Sequence, residues 1–600
     1  MNFLAMPGKL RFCALWKNSP LLFSTGGGLV SQLISAFLNA DQVYRNVYIG
    51  ILRPVAPIII GVLLFRCGRE LMTFHREPEI WAWLHFMGNH KVPIIHWENV
   101  VGRGKHSDIL VEFPTVSRSH CVLTRCTDGG WTVTDTDSKD GVYVNGARVQ
   151  KQVVSEEDVI SIGGVEMTLQ SISKEQEKAF AQLRTKGSSV LTSIANVLLL
   201  TVFQLLCCMA FMLGGDAQHV VSVLWGFGGI IFCQWSLLIF YWRIRRTSFE
   251  VETIAFLLCT LGMTVIATVN PGEAVKQIIA LVLGIGLFLG IGWSLRNLER
   301  AKKVRQIGAY AGVILLLITL LYGQEYYGAK NWLMIGSLSI QPSELSKVCF
   351  VFVGASAMDR IMTKRNLILF IAYSVVLCAC LALMNDFGTA LIFFCAFLVI
   401  AYMRSGSVGT IALACTALLF AGVVALKIAP HAMQRLLSWR HIWEEPLDAG
   451  YQQTRALMCM ASGGLLGLGA GMGKMKHIFA ADSDMVIASL SEEWGLITVT
   501  LTVACVVALA VFSVRAAKIG RSSFYTIGAC TAASILVFQT ILNALGTVDV
   551  LPLTGVTFPF LSNGGSGMVC AWGLLAFIKA ADTRQDASFA VTRNGGNSYE

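Results

Sequence analysis

Residues 219–246 read HVVSVLWGFGGIIFCQWSLLIFYWRIRR. Positions 219–241 contain no Asp, Glu, Lys or Arg, and three arginines then arrive almost together at 243, 245 and 246. As a helix rising about 1.5 Å per residue, this run crosses the roughly 30 Å apolar layer of a bilayer. A helix suits that solvent because it satisfies its backbone polar groups internally. Basic residues gathered just past an apolar run mark the cytoplasmic end of a span.

The same texture recurs along the chain. Apolar runs lie near 190–213, 219–241, 250–269, 275–295, 307–323, 345–360, 366–384, 387–403, 408–428, 485–513, 522–545 and 563–580. An earlier run, Val47 to Phe65, is broken by Arg53, Pro54 and Pro57; it reads as a weaker span within an N-terminal segment 1–76, with an interfacial helix as the alternative. Apolar residues make up 54% of the chain and charged residues 14%, against roughly 25% charged in globular proteins. Such a chain cannot cover a water-facing surface. The net charge of +10 collects in short loops, at Arg243–Arg246, Arg296–Arg305, Arg360 with Lys364 and Arg365, Arg404, and Arg515 with Lys518. Loops Gly214–Gln218 and Asn270–Ala274 carry no Lys or Arg. This alternation orients the chain in a membrane and argues against a nucleic-acid partner. It predicts a cytoplasmic carboxyl terminus and tail 583–600, and places long connections 324–344 and 429–484 on the outer side. Most of the 17 cysteines fall inside apolar runs as small hydrophobes. Cys121 and Cys126 lack a second pair at metal-binding spacing, and no cleavable signal peptide is expected.

From 77 to 173 the pattern changes to short alternating β-formers, such as Trp131–Thr134, Val142–Val144 and Val159–Ile162. Asp128-Gly129, Asp140-Gly141 and Asn145-Gly146 mark tight turns. This predicts an inserted all-β sandwich facing the cytoplasm, followed by a charged linker, 174–189. Within it, Gly102-Arg103, Ser117-Arg118-Ser119-His120, Asp135 and Asn145-Gly146 occur in an order that resembles the forkhead-associated (FHA) domain. The resemblance implies a phosphothreonine site in which Arg103 and Ser117 contact phosphate, Arg118 supports them, and Asn145 holds the peptide backbone. His120 is expected to brace the Ser117 loop. Guanidinium and hydroxyl donors converging from separate loops suit a phosphate dianion, although Asp140 places a carboxylate nearby. The implied partner is a phosphothreonine-bearing cytoplasmic protein, the substrate of a bacterial Ser/Thr kinase.

Several motifs cluster at the outer ends of the later spans. Gly328-Ala329-Lys330-Asn331-Trp332 leads to Gln341-Pro342-Ser343-Glu344-Leu345-Ser346-Lys347, where Glu344 and Lys347 share a helix face at a membrane boundary. Either a functional pair or a simple structural ion pair fits that spacing. Asp386 begins another span and is a candidate N-cap. Loop 429–484 carries Arg435, Arg440, Glu444-Glu445-Pro446, Asp448 and Gly450-Tyr451-Gln452, then a glycine-rich stretch from Gly463 to Gly473. Thr557-Phe558-Pro559-Phe560 runs into Ser562 and Ser566. This inventory suits a substrate with a diphosphate, sugars and a lipid tail.

In this order over 250–582, the motifs resemble the SEDS family (shape, elongation, division and sporulation; the FtsW, RodA and SpoVE type). The resemblance implies a polytopic α-helical membrane protein with a ten-span glycosyltransferase core, here with extra spans in 190–249. It implies polymerisation of lipid II into peptidoglycan with a class B penicillin-binding protein as partner. By the same resemblance Glu445 is the catalytic acid, with Asp448 as its neighbour and alternative. Lys330, Trp332, Glu344, Lys347, Arg435, Gln452, Ser562 and Ser566 are the expected substrate-binding residues. Asn331 and Ser339 stand where many members have Arg, which shifts diphosphate contacts to Lys330, Lys347 or Arg435. No ligand cluster for a dedicated metal is evident and no organic cofactor is expected; Mg2+ or Mn2+ between substrate and one carboxylate is compatible with the sequence. A lipid II flippase and a phosphopeptide-recruiting scaffold with an inactive core are the rival readings.

Overall fold

The computed structural model describes residues 42–587, except 74–78, 87–89, 106, 127–128, 184, 214–216, 297, 327–328, 337, 360–363, 406–407, 429, 449 and 521. Arg76, Asp128, Gly214, Gly328, Arg360 and positions 588–600 therefore lie outside the described residues, as do 1–41.

Helices form where the apolar runs predict them. The first, α1 (Gln42–Met72), is longer than expected and continues through Pro54 and Pro57. It is a full helix rather than a short span: Ala56, Ile60, Leu63 and Cys67 are buried along one face, and Ile51, Ile58, Val62 and Phe65 are exposed on the other. After the short α2 (Lys174–Leu183) come α3 (Val190–Met212) and α4 (Ala217–Arg243). Ten further long helices follow: α5 (Glu250–Val269), α6 (Ala274–Leu295), α7 (Leu298–Tyr322), α8 (Pro342–Asp359), α9 (Lys364–Leu383), α10 (Phe387–Ser405), α11 (Val408–Ile428), then, past α12 (Pro430–Ser438) and α13 (Tyr451–Gly463), α14 (Val486–Lys518), α15 (Ser523–Thr547) and α16 (Gly565–Ala580). Among the described residues, nine helices are long and apolar enough to cross a membrane. The apolar parts of α9, α11 and α16 are shorter.

Helix α5 is the hub, buried along nearly its whole length. A polar network within the apolar layer joins it to the two helices that precede it. The Gln204 and Gln234 amides exchange hydrogen bonds of 2.9 and 2.8 Å, and Gln204 also donates to Thr260 Oγ1 at 2.9 Å. In hydrocarbon such groups have no water to turn to, so the network pins helices together.

The β-region forms two facing sheets. One orders its strands β2 (His90–Ile94), β1 (Ala82–Phe86), β11 (Val165–Ser171), β10 (Val159–Ile162), β7 (Val142–Val144), β8 (Ala147–Val149). The other runs β4 (Ile109–Leu110), β3 (Glu98–Gly102), β5 (Cys121–Arg125), β6 (Trp131–Asp135), β9 (Lys151–Val154). Leu84, Val101, Leu123, Trp131, Val133, Ile160 and Leu169 fill the space between them, following the alternation legible in the strands.

The sandwich rests on one end of the helix bundle. Glu98, at the start of β3, accepts from Ser522 Oγ at 2.9 Å and from the Ser523 N–H at 3.0 Å, capping α15 from another domain. His96 Nδ1 lies 2.8 Å from the Gly520 carbonyl. The first residues of the expected tail 583–600 pack on the bundle: Arg584 is buried and donates to Asp582 at 2.7 Å and Glu250 at 3.3 Å. Gln585 exchanges backbone hydrogen bonds with Thr185 and Gly187. A buried guanidinium between two carboxylates holds this segment against the bundle.

Candidate functional site

At the bundle end away from the sandwich, the segments between helices converge. Strands β12 (Gln324–Tyr326), β13 (Ala329–Ile335) and β14 (Leu338–Ile340) form a small antiparallel sheet. It delivers the chain to Pro342, whose fixed φ and missing N–H suit the first turn of α8. One turn in, Glu344 and Lys347 meet at 2.6 Å with side chains 6% and 1% exposed. The second oxygen, Glu344 Oε2, is buried without a hydrogen-bond partner. It faces the start of α16, 3.9 Å from where a side chain at Gly567 would begin. The Gln341 N–H donates to Ser566 Oγ at 2.9 Å, joining the two motifs.

Asp386 stands beside this pair. Its Oδ1 accepts from the Thr389 N–H at 3.0 Å, so it does cap α10, and its Oδ2 accepts from Asn331 Nδ2 at 2.9 Å. Burial raises the Asp386 carboxyl above its ordinary value, opposed by the Thr389 hydrogen bonds and the Lys347 charge. Next to it is Asp484, just ahead of α14. Burial pushes Asp484 up to about 7, against the lowering pull of Arg435, while Asp482 and Asp386 add like charge. Asn543 fixes the loop around it, donating to the Asp484 and Val556 carbonyls at 2.9 and 2.8 Å. The Asp484 side chain received no role from sequence; only the fold places it beside Asp386, 98 positions earlier.

Loop 439–450 is tied in through its backbone. The Glu445 carbonyl accepts from the Gly450 N–H at 3.1 Å, a tight turn ahead of α13. The Glu445 and Asp448 side chains are exposed, and Glu444 is taken up by His441 at 2.9 Å. Among the described residues neither the Glu445 nor the Asp448 side chain makes a hydrogen bond or ion pair with the buried cluster; Arg435, on α12 ahead of this loop, faces Asp484. Gln452 and Trp332 are half-buried. The neighbouring Gln453 is the anchored one, donating to the Gly546 carbonyl at 2.8 Å.

Two of the expected substrate-binding residues bond the protein's own backbone. Lys330 Nζ donates to the Leu320 carbonyl at 2.7 Å, closing the last turn of α7. Ser562 Oγ accepts from the Phe558 N–H at 2.8 Å and donates to the Ser483 carbonyl at 2.7 Å, a bridge between segments.

The glycine-rich stretch is shaped by Glu492 and Glu493 of α14, which the sequence reading left without roles. Glu492 accepts from the N–H groups of Lys474 and Met475 at 2.9 and 2.8 Å. Glu493 accepts from those of Gly471 and Gly473, both at 3.2 Å, and from Thr268 Oγ1 at 2.8 Å. Two residues on, Gly495 breaks the helix at φ 83°, ψ 165° and lets the backbone of 465–467 lie against it.

The sandwich has its own cluster, where the loops after β3, before β5 and between β6 and β8 meet. Backbone bonds Arg103 N–Ser117 O (3.0 Å) and Gly104 N–Arg118 O (2.8 Å) zip two of them together. Ser117 Oγ accepts from the Lys139 N–H at 3.1 Å, bringing in the third. Buried His120 accepts from the Ser117 N–H at 3.1 Å through Nδ1 and contacts the Gly141 carbonyl at 3.0 Å through Nε2. The Arg103 and Arg118 side chains are exposed on this surface. Asn145 sits in a left-handed turn, donates to Asp158 at 2.7 Å and accepts from the Val159 N–H at 3.0 Å. It therefore orders the β7–β8 turn, and one amide proton is committed inside the domain.

Comparison with known proteins fits this layout. Residues 253–586 match the FtsW/RodA/SpoVE family model, described as cell cycle protein, and residues 99–163 match the FHA domain model. A peptidoglycan glycosyltransferase RodA of Mycobacterium tuberculosis is 27% identical over 325 residues, covering 51% of this chain and 69% of its own. A probable peptidoglycan glycosyltransferase FtsW of Nitrosococcus halophilus is 31% identical over 322 residues, covering 51% of this chain and 82% of its own. Among solved structures, RodA of Thermus thermophilus is 22% identical, with 55% of this chain and 95% of that one aligned at a TM-score of 0.41.

Proposed function

The chain belongs to the FtsW/RodA/SpoVE family, and from that premise we propose that it is a peptidoglycan glycosyltransferase that polymerises lipid II at the outer face of the bacterial cytoplasmic membrane. The observation that carries this reading is the convergence of the Glu344–Lys347 pair, Asp386, Asp484 and Arg435 at one bundle end. The basic loops support placing the sandwich and carboxyl terminus in the cytoplasm and loop 429–484 outside.

In this mechanism Glu445, with Asp448 beside it, accepts the proton of the acceptor sugar's 4-hydroxyl as that oxygen attacks the anomeric carbon. The bond to lipid diphosphate breaks, and Arg435 and Lys347 hold the departing charge. Among the described residues no group of three or more His, Cys, Asp or Glu side chains is placed to hold a metal ion. Glu344, with its unpartnered Oε2, is the residue that would hold a Mg2+ or Mn2+, and the ion would supply positive charge against the departing diphosphate. A class B penicillin-binding protein is the partner that the family implies. Phosphothreonine binding at Arg103 and Ser117 would recruit or regulate the synthase from the cytoplasmic side.

The test is polymerisation of fluorescent lipid II by the full chain in detergent, with and without the penicillin-binding partner. Glycan ladders that vanish in Glu445→Gln support the reading. Ladders unchanged by both Glu445→Gln and Asp448→Asn remove the mechanism. Lipid II transfer across vesicles without polymer would favour a flippase built on the Glu344–Lys347 pair, and loss of function only on Arg103→Ala would favour a scaffold.

A further inference from the structure

Helix α1 lies ahead of the family match and brings two arginines, Arg45 and Arg53, into an otherwise apolar span. Eight residues apart, they lie on one face with Ile49 between them. That face packs on the glycine-rich stretch after α13. A side chain at Gly471 would begin 3.2 Å from Arg45 Nη2. One at Gly469, where φ is 113°, would run into Ile49 and begin 3.9 Å from Arg53 Cδ. Only glycine lets the loop backbone come this close. Tyr48 steadies the helix by donating to the Leu206 carbonyl at 2.8 Å.

Nε of Arg45 and Nε of Arg53 are both buried without a hydrogen-bond partner. Among the described residues neither guanidinium forms an ion pair or a hydrogen bond. The acids of α14 that face this loop, Glu492 and Glu493, are turned to the N–H groups of Gly471, Gly473, Lys474 and Met475. Arg45 and Arg53 are half-buried with their Nε atoms enclosed, and a partly desolvated guanidinium without an anion, within a membrane span, marks a site whose partner comes from elsewhere.

Depth indicates what that partner is. Arg66 and Arg69 mark the end of α1 nearer the sandwich. Arg53 stands 13 residues before Arg66, about 20 Å up the helix axis, and Arg45 stands roughly 12 Å higher. In an apolar layer of about 30 Å that begins near Arg66, Arg45 then sits at headgroup level and Arg53 about 10 Å inside the layer, its long stem able to carry the guanidinium upward. A free anion has no reason to enter that layer, whereas a lipid carries its phosphate there.

We infer that Arg45 and Arg53 form a binding site for the phosphate or diphosphate of a lipid with a net anionic headgroup, in the leaflet away from the sandwich, seated against residues 469–473. Guanidinium forks match phosphate oxygens in pairs, which a lysine cannot reproduce. This site stands apart from the proposed catalysis and does not rest on it.

The test uses the full chain in detergent, read by native mass spectrometry after titration with phosphatidylglycerol, a polyprenyl diphosphate, phosphatidylcholine or inorganic diphosphate. The two anionic lipids should be retained over phosphatidylcholine, and Arg45→Gln with Arg53→Gln should weaken that retention by about tenfold or more. A thermal-shift arm guards against a double variant that fails to fold: anionic lipid should raise the melting temperature of the wild type, and less so that of Arg45→Lys with Arg53→Lys. Equal retention by wild type and the glutamine variant, equal retention of phosphatidylcholine, or inorganic diphosphate binding as tightly as the lipids would each overturn the assignment.

Discussion

Replacing Glu493 by alanine should loosen the glycine-rich loop without unfolding the bundle. The carboxylate, 3% exposed, accepts from two backbone N–H groups, Gly471 and Gly473, and from the Thr268 hydroxyl. A buried donor left without an acceptor costs about 1–3 kcal/mol. Two backbone donors are orphaned, because Thr268 can turn back to the Thr264 carbonyl, 3.3 Å away. Water reaches half-buried Gly471 but not buried Gly473, so a loss near 3 kcal/mol is reasonable for the local closing equilibrium. At about 1.4 kcal/mol per tenfold, amide exchange around 469–475 should accelerate roughly a hundredfold. Glu493→Gln keeps one acceptor oxygen and should lose about half as much free energy. Hydrogen exchange followed by mass spectrometry on the full chain in nanodiscs reads this directly, with α5 and α16 as internal controls. Unchanged exchange over 469–475 in Glu493→Ala would refute the idea that these hydrogen bonds shape the loop, and an equal acceleration everywhere would show general destabilisation instead.

Other consequences are equally open to measurement. The folded Asp484 carboxyl titrates at about 7, above its ordinary 3.8, so the native state keeps a proton that the unfolded chain releases. Stability should fall as pH rises through that interval, and melting curves of Asp484→Asn should lose much of that slope. For the Gln204–Gln234 pair, a double-mutant cycle with leucine, read by denaturant unfolding in micelles, should return a coupling of roughly 0.5–1.5 kcal/mol; zero coupling would mean the two amides act independently. Glu98→Ala removes the acceptor for Ser522 and Ser523 and should raise exchange at the start of α15, while phosphothreonine-peptide affinity of the full chain stays the same. A fall in that affinity would tie docking to peptide binding and contradict the separation seen here. Arg103→Ala should have the opposite profile, with binding lost in calorimetry and α15 exchange unaltered.

Much of this architecture was legible residue by residue. A run such as 219–241 has no polar alternative to a helix in lipid, so composition alone located the helices. The strands and the Asn145-Gly146 turn followed from alternation and local backbone preference, and Asp386 as a helix cap from its position before Phe387. Spacing on one helix likewise paired Glu344 with Lys347. All of these are short-range facts.

Contacts between distant segments were decided by tertiary structure alone. Lys330 and Ser562 looked available for substrate, yet each satisfies backbone groups of another segment. Asp484 looked like one more loop acid, and burial beside Asp386 and Arg435 changed its chemistry. Arg53 looked like a flaw in a weak span, and packing set it beside Gly469, more than four hundred positions away. The physical reason is the same throughout. Hydrophobic period and turn preference are encoded within a few residues, whereas desolvation and partner choice depend on what the fold brings alongside.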